Sequence, residues 1–107
     1  MTGTEVAYVN GAFLPIDQAT ISIEDRGFQF ADGVYEVVST YGGRPYAMAA
    51  HMERLQRSLH ELRIEFDVAG LAAVVRQGIE RAGFDESLVY IQITRGTAPR
   101  CHDLPEP

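Results

Sequence analysis

Two arginines, a cysteine and a histidine lie close together near the C-terminal end of the sequence, in TRGTAPRCH (residues 94–102). Arg100 and His102 are two positions apart, so in an extended loop their side chains can point the same way. A guanidinium fork and an imidazole donor together form a good clamp for a carboxylate, and Pro99 would stiffen the loop that carries them. The alternative interpretation is a flexible basic tail.

Cys101 beside His102 suggests two further possibilities, a nucleophile pair and a metal site. Adjacent residues of an extended segment point to opposite sides, and the sequence contains 1 cysteine. Both possibilities are therefore disfavoured, and no metal site is predicted.

Another arginine lies in HMERLQRSL (residues 51–59), a segment with helical spacing. Arg54 follows His51 by three positions, so the two side chains lie on one side of the helix. The fork of Arg54 could hold a phosphate or a carboxylate. From spacing alone, a solvated arginine on a polar helix face is the favoured interpretation.

A third stretch, IEDRGFQFADGVYEVV (residues 23–38), combines charged turns with the start of a strand. Tyr35 and Val37 share one face of that strand, and Glu36 and Val38 share the other. A phenol just after a turn can point into a cleft. Without further information, a purely structural turn and strand is the favoured interpretation.

The elements that must position these residues follow from periodicity. Alternating or β-branched runs predict strands, and apolar residues at steps of three and four predict two amphipathic helices. Asn10-Gly11 and Gly42-Gly43 are hairpin signals, and Gly83 is a helix stop. The predicted strands are 6–9, 12–15, 34–41, 44–47 and 87–94, and the predicted helices are 48–64 and 68–82. This order predicts an α+β domain, an antiparallel sheet with two helices packed on one face.

Composition limits the function classes. The 107 residues predict one domain, and the net charge of -6 disfavours nucleic acid or an anionic membrane as partner. The N-terminus does not have the pattern of a signal peptide, and no run is apolar and long enough to span a membrane, so the cytoplasm is the expected location. The chain has no lysine that could form a Schiff base. Its nine cationic residues other than histidine are all arginine: Arg26, Arg44, Arg54, Arg57, Arg63, Arg76, Arg81, Arg95 and Arg100.

Three motifs together resemble a known family. They are VNGAFLPIDQATISIEDRGFQFADGVYEV, HMERLQRSL and VYIQITRGTAPRCH. This combination is similar to the N-terminal domain of the fold-type IV pyridoxal-phosphate aminotransferases, and the TRGTAPRxH loop is most similar to the D-amino-acid (D-alanine) group. The resemblance extends from about Tyr8 to His102.

The resemblance implies roles for individual residues. Arg54 would bind the phosphate of pyridoxal 5'-phosphate, and Tyr35 with Val37 would line the substrate side of the cofactor. Arg100 and His102 would hold the α-carboxylate of an amino acid or 2-oxo acid substrate, together with Tyr35. The resemblance also implies a homodimer in which the loop around Arg100 reaches the neighbouring active site.

The resemblance further implies that residues 1–102 form a recognition domain and residues 103–107 begin an interdomain linker. The lysine that carries the cofactor would lie in a larger C-terminal domain absent from this chain, so no catalytic residue is assigned here and the chain alone should be inactive. One departure from the family pattern is Ala31, where glycine is usual. The added methyl group is costly only if φ is positive there.

Three alternatives remain open. The first is another chemistry of the same fold, such as a branched-chain aminotransferase or an aminodeoxychorismate lyase. The second is a non-enzymatic module that binds small carboxylates. The third is a dimerising α+β domain with no ligand.

Overall fold

The computed structural model describes residues 3–105 and shows a mixed α+β architecture. The fold class predicted from the sequence is confirmed. The elements are β1 Val6–Val9, β2 Ala12–Pro15, α1 Arg26–Phe30, β3 Gly33–Tyr41, β4 Arg44–Pro45, α2 Met48–Glu61, α3 Leu71–Ala82 and β5 Glu86–Thr94. Short 3-10 turns occupy Ile16–Gln18 and Val68–Gly70.

The strands are antiparallel, as predicted, but they form two sheets where one was expected. β1 and β2 pair around Asn10 and Gly11, whose φ values of 48° and 96° suit a tight hairpin turn. The other sheet has the order β4–β3–β5. β4 and β5 pair with the two edges of β3, and the first hairpin is not part of this sheet. The hairpin lies instead against α3, where the Arg81 guanidinium carbon is 4.4 Å from the centre of the Phe13 ring.

The β3–β5 pairing joins distant parts of the sequence. Its register runs from Gly33 opposite Thr94 to Tyr41 opposite Glu86. The even-numbered residues of β3 face inward, and Val38 is fully buried. The odd-numbered Tyr35 faces outward. The pairing therefore places the motif that contains Tyr35 beside the strand that leads into the 95–102 loop.

Both long helices pack on the inner face of this sheet. Leu55 and Leu59 of α2 are fully buried, and each such burial stabilises the fold by roughly 1.5–3 kcal/mol. α2 was predicted to continue to residue 64, but it ends at Glu61, and Leu62 is exposed. The chain turns away because Arg63 adopts a φ of 57°. Within residues 3–105, no helix has the length and apolarity that a membrane crossing requires.

The segment expected to be a charged turn contains a five-residue helix, α1. Asp25 caps it, since a side-chain oxygen accepts a hydrogen bond from the Gly27 amide at 2.7 Å. The helix ends at Ala31, whose φ of 54° lies in the left-handed region. The methyl group that departs from the family pattern therefore sits where it is unfavourable.

Candidate functional site

The first candidate group consists of Glu36, His51 and Arg54. Strand alternation turns Glu36 to the inner face of β3, and α2 crosses above it. Arg54 donates a hydrogen bond to each carboxylate oxygen of Glu36, from Nε to Oε2 and from Nη2 to Oε1, both at 2.8 Å. Nδ1 of His51 lies 2.7 Å from Oε1 of Glu36. The Glu36 side chain is only 4% exposed. A buried residue of β3 therefore holds two side chains of α2, those of His51 and Arg54.

The electrostatics of this group follow from those contacts. The hydrogen bond from Arg54 lowers the pKa of Glu36 to about 2, against the opposing effect of burial and with a smaller contribution from His51. The same hydrogen bond raises the pKa of Arg54. Glu36 is therefore a carboxylate, and Arg54 a cation, throughout the neutral pH range.

Arg54 retains donors for a ligand. A guanidinium has five N–H bonds, and Glu36 engages the Nε and Nη2 atoms, which leaves three N–H bonds free of it. The Arg54 side chain is 59% exposed. It lines a shallow depression of about 350 Å³ together with Ala50, His51, Glu53 and Arg57. A fixed guanidinium with outward-facing donors suits a phosphate or another oxyanion.

The second group is Arg100 and His102, which the structure brings together as predicted. Both are exposed, and both lie against the ring of Phe30. The His102 ring centre is 5.4 Å from that of Phe30, and the Arg100 guanidinium carbon is 5.5 Å from it. Cys101 between them is exposed, and its carbonyl accepts a hydrogen bond from Nη1 of Arg26 at 2.6 Å.

An ion cluster anchors this loop. The Nε atoms of Arg26 and Arg95 both donate to Oδ2 of Asp32 at 2.8 Å. Burial alone would raise the pKa of Asp32, but the hydrogen bonds from Arg95 and Arg26 outweigh it and the pKa is lowered. Arg95 also donates to the Leu62 carbonyl at 2.7 Å. Arg26, which is 3% exposed, therefore ties Asp32, the residue before β3, to the loop that follows β5.

The sequence reasoning missed these anchoring residues, although a signal was present. Arg26 and Asp32 stand at opposite ends of one short segment, and Arg95 directly follows a strand. Charged residues next to strand ends commonly pair when the ends come together. The partner of Arg54 was also missed: Glu36 lies between Val34 and Val38 on an apolar strand face, where a carboxylate requires a partner.

The third group is Tyr35 with Val37. Both lie on the outer face of β3 and are 63% and 38% exposed. The Tyr35 ring stacks on Tyr90 with centres 5.7 Å apart and planes at 18°. The structure therefore joins Tyr35 with Val37, and Arg100 with His102. Arg54 belongs to a separate group, which contacts β3 through Glu36 on the inner face of that strand.

The chain belongs to the class IV aminotransferases. The model of that family, described as amino-transferase class IV, matches residues 33–107. The resemblance noted in the sequence is thereby confirmed, and the α+β architecture is that of fold-type IV enzymes.

Individual relatives agree with this assignment. A D-alanine aminotransferase of Staphylococcus haemolyticus is 38% identical over 102 residues, which cover 94% of this chain and 36% of that protein. Among solved structures, 4-amino-4-deoxychorismate lyase from Pseudomonas aeruginosa superposes with a TM-score of 0.72 at 27% identity, covering 82% of this chain and 32% of the lyase. The fold IV transaminase CpuTA1 from Curtobacterium pusillum gives 0.73 at 26% identity, covering 80% and 32%. The chain thus spans about a third of the length of its relatives.

Proposed function

We propose that this chain is the recognition part of a pyridoxal-phosphate aminotransferase that moves the amino group of a D-amino acid such as D-alanine to a 2-oxo acid such as 2-oxoglutarate. Residues 1–102 would form the N-terminal domain, and residues 103–107 would begin the linker to a C-terminal catalytic domain. The observation that carries the proposal is the presence of two separate cationic groups. One contains Arg54 and the other contains Arg100 with His102.

Arg54 would hold the cofactor phosphate. Its guanidinium is held on one edge by Glu36 and keeps donors on the exposed side, which fits a phosphate group. When bound, pyridoxal phosphate supplies an electrophilic carbonyl and an electron-accepting ring. This chain would contribute binding and orientation. The lysine that carries the cofactor would come from the proposed C-terminal domain, because this chain contains nine arginines and no lysine.

Arg100 and His102 would bind the substrate α-carboxylate, and Tyr35 with Val37 would line the substrate side of the cofactor. Support comes from the shared position of Arg100 and His102 on one loop and from the exposed face that presents Tyr35. Orienting a substrate through these contacts can lower a reaction barrier by several kcal/mol, on the order of 7–11 at best.

We further propose a homodimer in which the loop around Arg100 reaches the neighbouring active site, and a cytoplasmic location.

The test uses the intact enzyme, meaning this chain with its proposed C-terminal domain. Arg100→Ala should raise the KM for D-alanine by roughly 10- to 100-fold, the range expected for a lost charged hydrogen bond, while the Kd of pyridoxal phosphate stays within about twofold. Arg54→Ala should do the reverse. Arg76→Ala, an exposed arginine of α3, is the matched control. Equal effects of the two test variants on both constants would contradict the assignment.

The substrate assignment needs its own assay. The intact enzyme should transfer the amino group of D-alanine faster than that of L-leucine, and the 107-residue chain alone should show no turnover. Faster reaction with L-leucine would favour a branched-chain aminotransferase. Release of pyruvate from 4-amino-4-deoxychorismate would favour the lyase, in keeping with the P. aeruginosa structure.

A further inference from the structure

Phe30, the last residue of α1, contacts the side chains of two arginines and one histidine with one ring. The guanidinium carbon of Arg26 lies 4.8 Å from the ring centre, and that of Arg100 lies 5.5 Å from it. The His102 ring is 5.4 Å away at an angle of 59°. None of the roles proposed above involves Phe30.

The ring itself is held in place from the interior. Arg26 is buried, donates to Asp32 and to the Cys101 carbonyl, and lies over Phe30. Cys101 is the residue between Arg100 and His102. The same buried arginine therefore fixes the loop backbone and the ring on which the two flanking side chains rest. Exposed side chains that are not held in this way must be ordered by the ligand, at an entropic cost to binding.

The chemistry of the ring also preserves the charge that a ligand would need. Arg26, Arg54 and Arg95 each form an ion pair with a carboxylate that is at most 10% exposed. Across residues 3–105, no carboxylate lies in ion-pair contact with Arg100 or His102. An aromatic face attracts a cation through its quadrupole and does not neutralise it. Phe30 can thus orient both side chains while the positive charge of Arg100 remains available.

We propose that Phe30 is a positioning residue that sets the spacing and direction of Arg100 and His102 for an incoming carboxylate. The inference rests on the proposed function, because it takes Arg100 and His102 as the carboxylate clamp. It concerns a residue outside that clamp, to which the proposed function gives no contact with substrate or cofactor.

The experiment compares Phe30→Leu with Phe28→Leu in the intact enzyme. Leucine keeps the apolar bulk and removes the aromatic face. Phe28 lies on the same short helix and is 66% exposed, which makes it a matched control. Loss of the ring contacts to Arg100 and His102 should raise the KM for D-alanine and the Kd of the unreactive carboxylate propionate by roughly tenfold. The Kd of pyridoxal phosphate should change by less than about twofold, Phe28→Leu should leave all three constants unchanged, and Phe30→Tyr should restore the wild-type values.

A double-mutant comparison separates positioning from general loosening of the fold. If Phe30 acts through Arg100 and His102, then Phe30→Leu should have no further effect on propionate affinity once both are alanine. A second readout does not depend on turnover. The Hε1 proton resonance of His102, identified by its loss in His102→Gln, should shift in Phe30→Leu as the ring current is removed.

The outcomes distinguish the two proposals. If Arg100→Ala weakens propionate binding but Phe30→Leu behaves like Phe28→Leu, the positioning role is wrong and the carboxylate clamp stands. Full additivity of Phe30→Leu with the double alanine variant, or an unmoved His102 resonance, would also overturn the positioning role. If Arg100→Ala changes neither the Kd of propionate nor the KM for D-alanine, both the carboxylate clamp and the positioning role of Phe30 are wrong.

Discussion

Arg54 and the Arg100–His102 pair are both exposed cationic groups, but they are held by different physical means. Arg54 is bound through two 2.8 Å hydrogen bonds to a nearly buried carboxylate, which fixes the plane of its guanidinium. Arg100 and His102 rest on an aromatic ring, through contacts that constrain position more weakly than direction-specific hydrogen bonds do. The contrast would suit the proposed roles, in which a cofactor phosphate stays in place at Arg54 and a substrate carboxylate is exchanged at the loop.

We expect the largest effect on the loop that carries Arg100 and His102 from the substitution Asp32→Asn. The change removes the charge that Arg26 and Arg95 share and leaves Arg26 buried without an anionic partner. We expect the free energy of unfolding to fall by about 3 kcal/mol, measured by urea denaturation. The exposed Asp17→Asn is the control and should change the free energy of unfolding by less than about 0.5 kcal/mol. A stability loss no larger than that of Asp17→Asn would show that the cluster does not anchor the loop.

Glu36→Gln tests the Arg54 side. The amide keeps the size of the side chain, but it can no longer accept both hydrogen bonds from Arg54. We expect a loss of about 2 kcal/mol in the free energy of unfolding and a weaker affinity for pyridoxal phosphate in the intact enzyme, with propionate binding nearly unchanged. Glu80→Gln, an exposed residue of α3, should leave all three quantities unchanged. Equal weakening of phosphate and carboxylate binding would contradict the separation of the two groups.

The pH dependence of the free energy of unfolding tests whether the ion pair of Glu36 with Arg54 stabilises the fold. Its pKa is lowered to about 2 in the folded protein, whereas an unfolded glutamate titrates near 4.3. The unfolded state therefore takes up the proton first, so the stabilisation is complete above about pH 4.5 and is lost as the pH falls towards 2. The difference in the free energy of unfolding between wild type and Glu36→Gln, measured by urea denaturation at each pH, should shrink as the pH falls across that range. A difference that is constant from pH 5 to pH 2 would rule out the ion pair as its source.

The smallest expected effect comes from Ala31→Gly. Ala31 is exposed and has a φ of 54°, where glycine avoids the steric cost of a side chain. We expect thermal and urea unfolding to report a gain of about 0.5–1 kcal/mol. The same substitution at Ala73, an exposed position inside α3, should lose a similar amount, since glycine destabilises helix interiors. Two changes of the same sign would refute the conformational explanation. Propionate affinity should not change, because Phe30 keeps its ring.

Local patterns predicted most of the elements because each has its own period or turn residue. The hairpin at Asn10-Gly11, the core helix containing Leu55 and Leu59, and the stop at Gly83 were all readable from the sequence. α1 was missed because a five-residue helix is less than two turns and shows no hydrophobic period. The division of the strands into two sheets depends on which edges pair, and that is a long-range choice.

The candidate site was predictable to a different degree. Spacing placed Arg100 with His102 and Tyr35 with Val37, and the structure agrees on both. The functional roles of these residues and of Arg54 rested on the family resemblance and stay predictions. Contacts such as Arg26 with the Cys101 carbonyl join residues 75 positions apart, so no local rule could reveal them.

The register between β3 and β5 also limits how the length of this chain can vary. Tyr35 and Glu36 are consecutive residues on opposite faces of one strand, opposite Gln92 and Ile91. One inserted or deleted residue just before Tyr35 would exchange their faces, and would bury the phenol while exposing the carboxylate that holds Arg54. An added residue at the exposed Gly42-Gly43 turn would leave both in place. Length changes in this protein should therefore be tolerated at that turn and not at the start of β3.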